Sequence, residues 1–215
     1  FRDEEKKEFL MFFDNIYRFL QAGNEISTQL GNTPSEQGYQ ATLQKELGTI
    51  QERLVSTVNG AITSIQTVFI PADDLSDAAV SGIISYLDAT ITLSRANAQL
   101  GLYPAVDLLK SSSSVLSNPS IIGRDHFSLI TEFQQILNRY ESLERIVAIL
   151  GESELSPADQ VLYNRAKKLI NYMTQPLFVV ANQTGKKGQL VPIQTTVQDI
   201  KLIISGKLDS LPAEK

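Results

Sequence analysis

Phe9-Leu10-Met11-Phe12-Phe13-Asp14 begins the most informative part of the sequence, because five apolar residues lead directly into a carboxylate. An unbroken apolar run of this length is typical of a fully buried parallel strand. Open α/β sheets bind their ligands at the carboxyl ends of such strands. The pattern therefore predicts that Asp14 lies at the ligand-binding edge of a sheet. Taken alone the signal is weak, since many buried strands end in an aspartate that only caps a turn.

The sequence downstream of Asp14 has the strand and helix order of a parallel sheet. Residues 40–55 carry good helix formers with leucine and isoleucine at helical spacing. A β-type segment over 62–70 follows and ends before Pro71. Strand, helix, strand is the order that builds a parallel sheet. A third strand is predicted over 87–93, where apolar and polar residues alternate.

The character of the chain changes after residue 104. Lys110 and the four serines at 111–114 form a polar stretch that predicts a linker, and the strands are expected to stop there. The fold class predicted from these patterns is α/β plus all-α. We expect residues 1–115 to be part of a nucleotide-binding domain and residues 116–215 to be a helical domain.

The second half of the sequence predicts three helices. Apolar residues form one stripe of a long amphipathic helix over 130–150, which Gly151 ends. A second helix is predicted to begin at Pro157 with Ser156 as its N-cap. A third is predicted over roughly 196–204. Together they describe a small helical bundle.

The composition of the 215 residues excludes several classes of function. A net charge of −5 without a basic stripe argues against a nucleic-acid binder. The absence of cysteine excludes disulfides, thiolate metal sites and thiol nucleophiles. No apolar run approaches the length of a membrane span, and the charged start is unlike a signal peptide. We expect any membrane link to come through partners, and we interpret Phe1 as an internal position of a longer chain.

The residues around Asp14 form a longer motif, Leu10-Met11-Phe12-Phe13-Asp14-Asn15-Ile16-Tyr17-Arg18-Phe19 and then Gln21-Ala22-Gly23. Further blocks follow it, namely Pro34-Ser35, Gly38-Tyr39-Gln40, Gln51-Glu52-Arg53, Pro71-Ala72-Asp73-Asp74-Leu75, Leu87-Asp88-Ala89-Thr90, Leu93-Ser94-Arg95 and Leu100-Gly101-Leu102-Tyr103-Pro104-Ala105-Val106-Asp107. The helical half adds Ile136-Leu137-Asn138-Arg139-Tyr140, Ile146-Val147-Ala148-Ile149-Leu150-Gly151, Glu154-Leu155-Ser156, Gln175-Pro176 and Thr184-Gly185. In order and spacing these blocks closely resemble the F-type ATP synthase β subunit family, and the departures noted below suggest a divergent paralogue.

This resemblance implies a fold, partners and cofactors. The fold would be the C-terminal half of a P-loop (RecA-like) parallel-sheet nucleotide-binding domain, followed by a small helical bundle. The subunit would alternate with α-like ATPase subunits in a ring around a γ-like central shaft, and would bind ATP or ADP with Mg²⁺. The complex would be peripheral, at the cytoplasmic face of a membrane. In this family Asp14 would orient Mg²⁺ through water, as the Walker B carboxylate, and Arg18 would contact the γ-phosphate.

The resemblance also implies a nucleotide pocket. Tyr103 would stack on the adenine, and Phe69 replaces a tyrosine near the phosphates. Leu177 and Gln183 occupy positions that usually hold aromatic residues of the base pocket. Loss of these rings weakens or broadens base recognition.

A loop at the tip of a helical hairpin would contact the shaft. Its predicted contacts are Glu152, Ser153, Glu154, Leu155, Ser156 and Asp159. Ser153, Pro157 and Ala158 stand where the family carries carboxylates. The coupling of this loop to a basic partner is therefore expected to be weaker than usual.

Each site residue has a simpler interpretation. Arg18 could pair with Glu25 on the surface, and Tyr103 could be a packed aromatic residue beside Pro104. His126, the single histidine, is interpreted as a solvated or capping side chain.

Two alternatives to the catalytic β-type subunit remain open. The 215 residues contain no Gly-x-x-x-x-Gly-Lys-Ser/Thr motif, so this stretch is not expected to hydrolyse ATP alone. A non-catalytic structural or regulatory ring subunit is the main alternative. A hexameric helicase or termination-factor relative is disfavoured by the acidic balance.

Overall fold

The computed structural model describes residues 1–175 and 177–213, and within that range the side chains of residues 180, 183 and 184 are also left undescribed. The chain forms two compact units, Phe1–Leu87 and Asp88–Lys215. Each unit is described by itself below.

The first unit is an α/β structure built on one pair of parallel strands. Its elements are α1 (Arg2–Glu5), β1 (Phe9–Phe13), α2 (Ile16–Gln29), α3 (Leu43–Gln51), a 3₁₀ turn (Glu52–Leu54), β2 (Ile62–Gln66), a second 3₁₀ turn (Pro71–Asp73) and α4 (Ala78–Ile84). In the parallel pair, Phe9 lies opposite Ile62 and Phe13 opposite Gln66. Parallel neighbours need a crossover connection, which α2 and α3 supply. The predicted strand, helix, strand order is confirmed.

Helices α2, α3 and α4 pack together around a small apolar core. Leu20, Leu47 and Ile83 are fully buried in it, one from each helix. The apolar residues of α2 and α3 recur four positions apart, which places them on one face of each helix. The core therefore follows from the helical spacing that the sequence shows.

Strand β1 is less buried than the sequence predicts. Leu10, Met11 and Phe12 are exposed, with Phe12 at 67%, whereas Phe13 packs against the helical core. The prediction of a fully buried strand is wrong for the described residues, because β1 pairs there only with β2 and the helices cover a limited part of the pair.

Strand β2 is shorter than predicted and ends at Gln66 instead of Ile70. Val68 and Ile70 nevertheless pack against the helical core of the first unit. Their apolar character reflects this burial beyond the strand, which a sequence pattern does not distinguish from strand pairing.

The second unit is mostly helical. Its elements are β3 (Ala89–Thr90), α5 (Arg95–Gln99), β4 (Ser112–Ser113), α6 (Pro119–Ile122), α7 (Arg124–Leu150), a 3₁₀ turn (Glu152–Glu154), α8 (Pro157–Met173), a further 3₁₀ turn (Phe178–Val180), α9 (Ala181–Thr184) and α10 (Ile193–Ile204). The long helix and the helix that begins at Pro157 are confirmed. The third predicted helix starts three residues earlier than expected, at Ile193. The α/β plus all-α fold class is confirmed.

Two predictions for residues 87–114 are wrong. The third strand is only Ala89–Thr90, and it pairs antiparallel with Ser112–Ser113 inside the predicted linker. The hydroxyl of Ser111 accepts from the backbone N–H of Thr92 at 3.1 Å. Short serine side chains bond readily to nearby backbone, and here they tie the two segments together.

Helices α7 and α8 form a hairpin whose turn is fixed by its end residues. Gly151, with φ 93°, lies in the conformation that favours glycine and ends α7. Ser156 caps α8, since its hydroxyl accepts from the N–H of Asp159 at 3.2 Å. Behind the turn, Leu143 and Tyr163 are buried against each other's helix.

No helix in the described part of the chain is both long enough and apolar enough to cross a bilayer.

Candidate functional site

Asp14 lies directly after β1 and is held by one residue that follows β2. The Thr67 hydroxyl donates to Asp14 Oδ1 at 2.8 Å, and the Thr67 N–H donates to the Phe13 carbonyl at 2.9 Å. The Asp14 side chain is exposed, and its Oδ2 makes no hydrogen bond with the described residues. The carboxylate is therefore fixed on one side and open on the other.

Arg18 lies in the first turn of α2, four residues beyond Asp14. Asn15 caps this helix, and its side-chain oxygen accepts from the N–H of Tyr17 at 2.9 Å. Arg18 is exposed and forms no ion pair with any described residue, so the alternative pairing with Glu25 is absent there. The N–H groups of Ile16, Tyr17 and Arg18 are already bonded, to the Thr67 carbonyl, the Asn15 side chain and the Asn15 carbonyl. The group that this turn offers to an anion is therefore the Arg18 guanidinium.

The metal chemistry that this site can support rests on Asp14 alone. In the described part of the chain no three His, Cys, Asp or Glu side chains gather into a group that could hold a metal ion. A single carboxylate fits Mg²⁺, which keeps several waters and takes its other ligands from substrate phosphates. It does not fit a metal held by protein ligands alone.

The residues predicted to bind the nucleotide are divided between the two units. Phe69, in the first unit, is half exposed, and its ring centroid lies 5.8 Å from that of Tyr17. Tyr103, in the second unit, is 53% exposed, and its hydroxyl donates to the Ala98 carbonyl at 3.3 Å. Leu177 is also partly exposed, and the side chain of Gln183 lies outside the described residues. That these residues bind one nucleotide, with Phe69 near its phosphates, stays a prediction.

Two of the cavities among the described residues of the second unit were not predicted by the sequence. One, of about 350 Å³, is lined by Asn97, Pro104 and Tyr140 among others. The other, of about 430 Å³, is mainly apolar, and its lining includes Phe133 and Ile200. Neither is lined by the residues predicted to hold the base.

The predicted shaft loop is partly neutralised within its own hairpin. Glu152 forms an ion pair with Lys167 at 2.9 Å, and Asp159 forms one with Arg139 at 2.9 Å. Lys167 also lies 4.4 Å from the centre of the Tyr163 ring. Two of the carboxylates of the loop are therefore already paired with cations of α7 and α8.

The other predicted shaft residues divide into exposed and buried. Ser153, Glu154 and Ser156 are exposed at the turn. Leu155 is only 7% exposed and packs in the cluster of Leu143 and Tyr163. Leu155 therefore covers the end of the interface between the two helices, and its contact with a shaft stays a prediction.

Asp159 provides a test of these contacts. Its pKa is lowered from the usual value near 3.8, first by the Arg139 guanidinium and then by the Ser156 hydroxyl. A lowered pKa means that the contribution of Asp159 to stability is present above about pH 4 and is lost as the pH falls through the folded-state pKa. We expect NMR titration to show that Arg139→Gln raises this pKa more than Ser156→Ala does. A larger change with Ser156→Ala would contradict the assignment.

The contacts that hold the site were not visible in the sequence. Thr67 follows Asp14 by 53 residues, and no motif marks it. The sequence also gave no sign that Arg139 and Lys167 would pair with carboxylates of the loop.

The sequence matches two family descriptions. Residues 1–113, more than half of the 215-residue chain, match the nucleotide-binding domain of the ATP synthase alpha/beta family. Residues 118–211 match the C-terminal domain of V and A type ATP synthase. The second description names the V and A types, so the matches do not select the F-type β subunit within the family. Together with the α/β unit, the helical unit and the open Asp14 carboxylate, they identify the chain as a member of the ATP synthase alpha/beta family.

Proposed function

We propose that this chain is a β-type subunit of an F-type rotary or rotary-derived ATPase, which hydrolyses or makes ATP with Mg²⁺ at an interface with an α-like subunit. The observation that carries the proposal is the pair formed by Asp14 and Arg18. Both side chains are exposed, they flank the turn from β1 to α2, and neither forms an ion pair with a described residue. A carboxylate with one open oxygen and an unpaired guanidinium at the start of a helix are suited to magnesium-bound water and to phosphate.

The choice of the F type rests on the sequence blocks, of which Pro71-Ala72-Asp73-Asp74-Leu75 is the β-like one. The V and A type description of residues 118–211 makes this choice testable. The subunits that copurify with the full-length protein would distinguish the two types.

Three residues of this chain would have separate roles in binding the magnesium nucleotide and in its reaction. Asp14, fixed by Thr67, would accept hydrogen bonds from water bound to the metal. Mg²⁺, when bound, supplies neutralisation of phosphate charge. Arg18 would lie against the terminal phosphate and stabilise the charge that grows there in the transition state. Tyr103 would offer an exposed ring face to the base.

The hairpin tip would carry motion to a γ-like shaft. With Glu152 and Asp159 paired inside the hairpin, Glu154 is the carboxylate of the loop that is exposed and has no ion pair among the described residues. An electrostatic contact with a basic shaft would therefore be weak. Attachment to the cytoplasmic face of a membrane would come through the complex.

A non-catalytic ring subunit is the second candidate. The observation that favours it is the loss of aromatic residues at Leu177 and Gln183, which leaves Tyr103 as the ring predicted to stack on the base. Such a subunit would bind nucleotide poorly and serve structure or regulation.

The decisive experiment is ATP hydrolysis by the full-length protein, purified with its copurifying partners. We expect turnover that depends on Mg²⁺ and stops when EDTA removes the metal. We also expect weak discrimination between ATP and GTP, because the base pocket has lost aromatic stacking. No hydrolysis in an intact ring would favour the non-catalytic candidate, and a strong preference for ATP would contradict the predicted pocket.

A further inference from the structure

A chain of hydroxyl groups crosses the first unit. The hydroxyls of Tyr17 and Tyr39 lie 2.8 Å apart, and the Tyr39 hydroxyl donates to Asp77 Oδ2 at 2.7 Å. A phenol has a single proton to donate, so Tyr17 must donate to Tyr39. The hydrogen bonds thus run in one direction, from Tyr17 through Tyr39 to Asp77.

The Asp77 end of this chain is anchored in the core. Asp77 Oδ1 accepts from the N–H groups of Ala79 and Val80, at 3.0 and 3.1 Å, and so caps α4. Ala79 and Val80 are fully buried. Oδ1 of the carboxylate therefore caps α4, and Oδ2 accepts the hydrogen bond from Tyr39.

The Tyr17 end of this hydrogen-bonded chain lies in the first turn of α2, which also carries Arg18. Tyr17 is the second residue of α2, immediately before Arg18 and three residues after Asp14. Its side chain is 5% exposed and packs against the Phe69 ring. Any shift of Tyr17 would move the backbone that carries Arg18.

Burial alone does not explain the hydroxyls. Ile16 and Leu20 already bury the same face of α2, and a phenylalanine at position 17 would supply the same apolar ring. The hydroxyls add hydrogen bonds, which fix the distance and the angle between the side chains that they join. Burial, together with the bonds to Tyr17 and Asp77, raises the pKa of Tyr39 far above its usual value, so this phenol stays protonated even where an exposed tyrosine would ionise.

We propose that Tyr17, Tyr39 and Asp77 are positioning residues for the phosphate site. Their hydrogen bonds tether the first turn of α2 to the cap of α4 and so hold Arg18 in the orientation that phosphate requires. The inference rests on the proposed function, because the three hydrogen-bonded residues are inferred to orient Arg18 for phosphate binding.

The test compares Tyr17→Phe, Tyr39→Phe and the double variant in the full-length protein within its assembly. Tyr172→Phe is the matched control, because Tyr172 also donates to an aspartate, Asp199, at 2.7 Å, but in the second unit. We expect kcat to fall about tenfold with Tyr39→Phe and less with Tyr17→Phe, with KM nearly unchanged. The double variant should be no slower than Tyr39→Phe, because both act through one chain. Tyr172→Phe should leave kcat unchanged.

Amide hydrogen exchange supplies a readout that does not need turnover. We expect faster exchange in residues 15–20 for both Tyr17→Phe and Tyr39→Phe, and no change there for Tyr172→Phe. Unchanged exchange in this segment would overturn the inference, and so would kcat losses that add in the double variant. A wild-type protein without turnover would refute the proposed function, and the exchange measurement would still decide whether the tether exists.

Discussion

Replacing Arg18 with alanine is expected to lower ATP turnover about a hundredfold or more while nucleotide binding stays measurable. The guanidinium is exposed at the first turn of α2 and pairs with no described residue, so its removal leaves no buried partner unsatisfied. An interaction that strengthens as phosphate charge develops lowers kcat more than affinity when it is lost. The measurement is steady-state hydrolysis together with the dissociation constant of a fluorescent ADP analogue.

Two further variants give this prediction its controls. Arg124→Ala removes another exposed arginine, at the start of α7, and should leave turnover unchanged. Arg18→Lys keeps the charge but loses the planar fork of donors, so its turnover should lie between those of the wild type and Arg18→Ala. Equal losses of turnover and binding in Arg18→Ala would refute the assigned role.

Leu47→Ala is expected to destabilise the protein by about 3 kcal/mol. Leu47 is 0% exposed and lies in the core between α2, α3 and α4. Helix α4 approaches closely at Gly82, where a Cβ would lie 3.3 Å from Leu47 Cδ2. Truncating Leu47 leaves a cavity that such tightly packed helices can fill only in part. Chemical denaturation followed by circular dichroism measures the loss.

Leu30→Ala is the matched control, because Leu30 directly follows α2 and is 73% exposed. Its effect should stay within about 0.5 kcal/mol. A loss of the same size in both variants would show that the core does not depend on the packing described here.

The elements predicted correctly are those whose sequence patterns lie within the element itself or next to its ends. A five-residue apolar run predicted β1, and the spacing of leucine and isoleucine over residues 40–55 predicted α3. Ser156 followed by Pro157 gave the start of α8, because the cap and the fixed proline dihedral act within one turn. Gly151 predicted the end of α7, because a glycine readily adopts the positive φ that ends a helix there.

The elements predicted wrongly depend on partners elsewhere in the chain. Alternation over 87–93 has the period of a strand, yet only Ala89–Thr90 forms one, paired with the serine stretch itself, and Leu93 adds an isolated bridge to Val106. The exposure of Phe12 depends on which elements cover β1. A sequence pattern indicates which apolar side chains a segment can bury. Only the tertiary structure shows which other elements cover them.

The same division holds for the site. The sequence by itself determined the strand that leads into Asp14, the position of Arg18 four residues after it and membership of the ATP synthase alpha/beta family, because these signals lie in contiguous residues. Only the tertiary structure decided that Thr67 holds Asp14, that Asp77 tethers Tyr17 through Tyr39, and that the loop carboxylates are paired. The physical reason is that these contacts join residues between 15 and 53 positions apart, whose meeting depends on how the helices and strands pack.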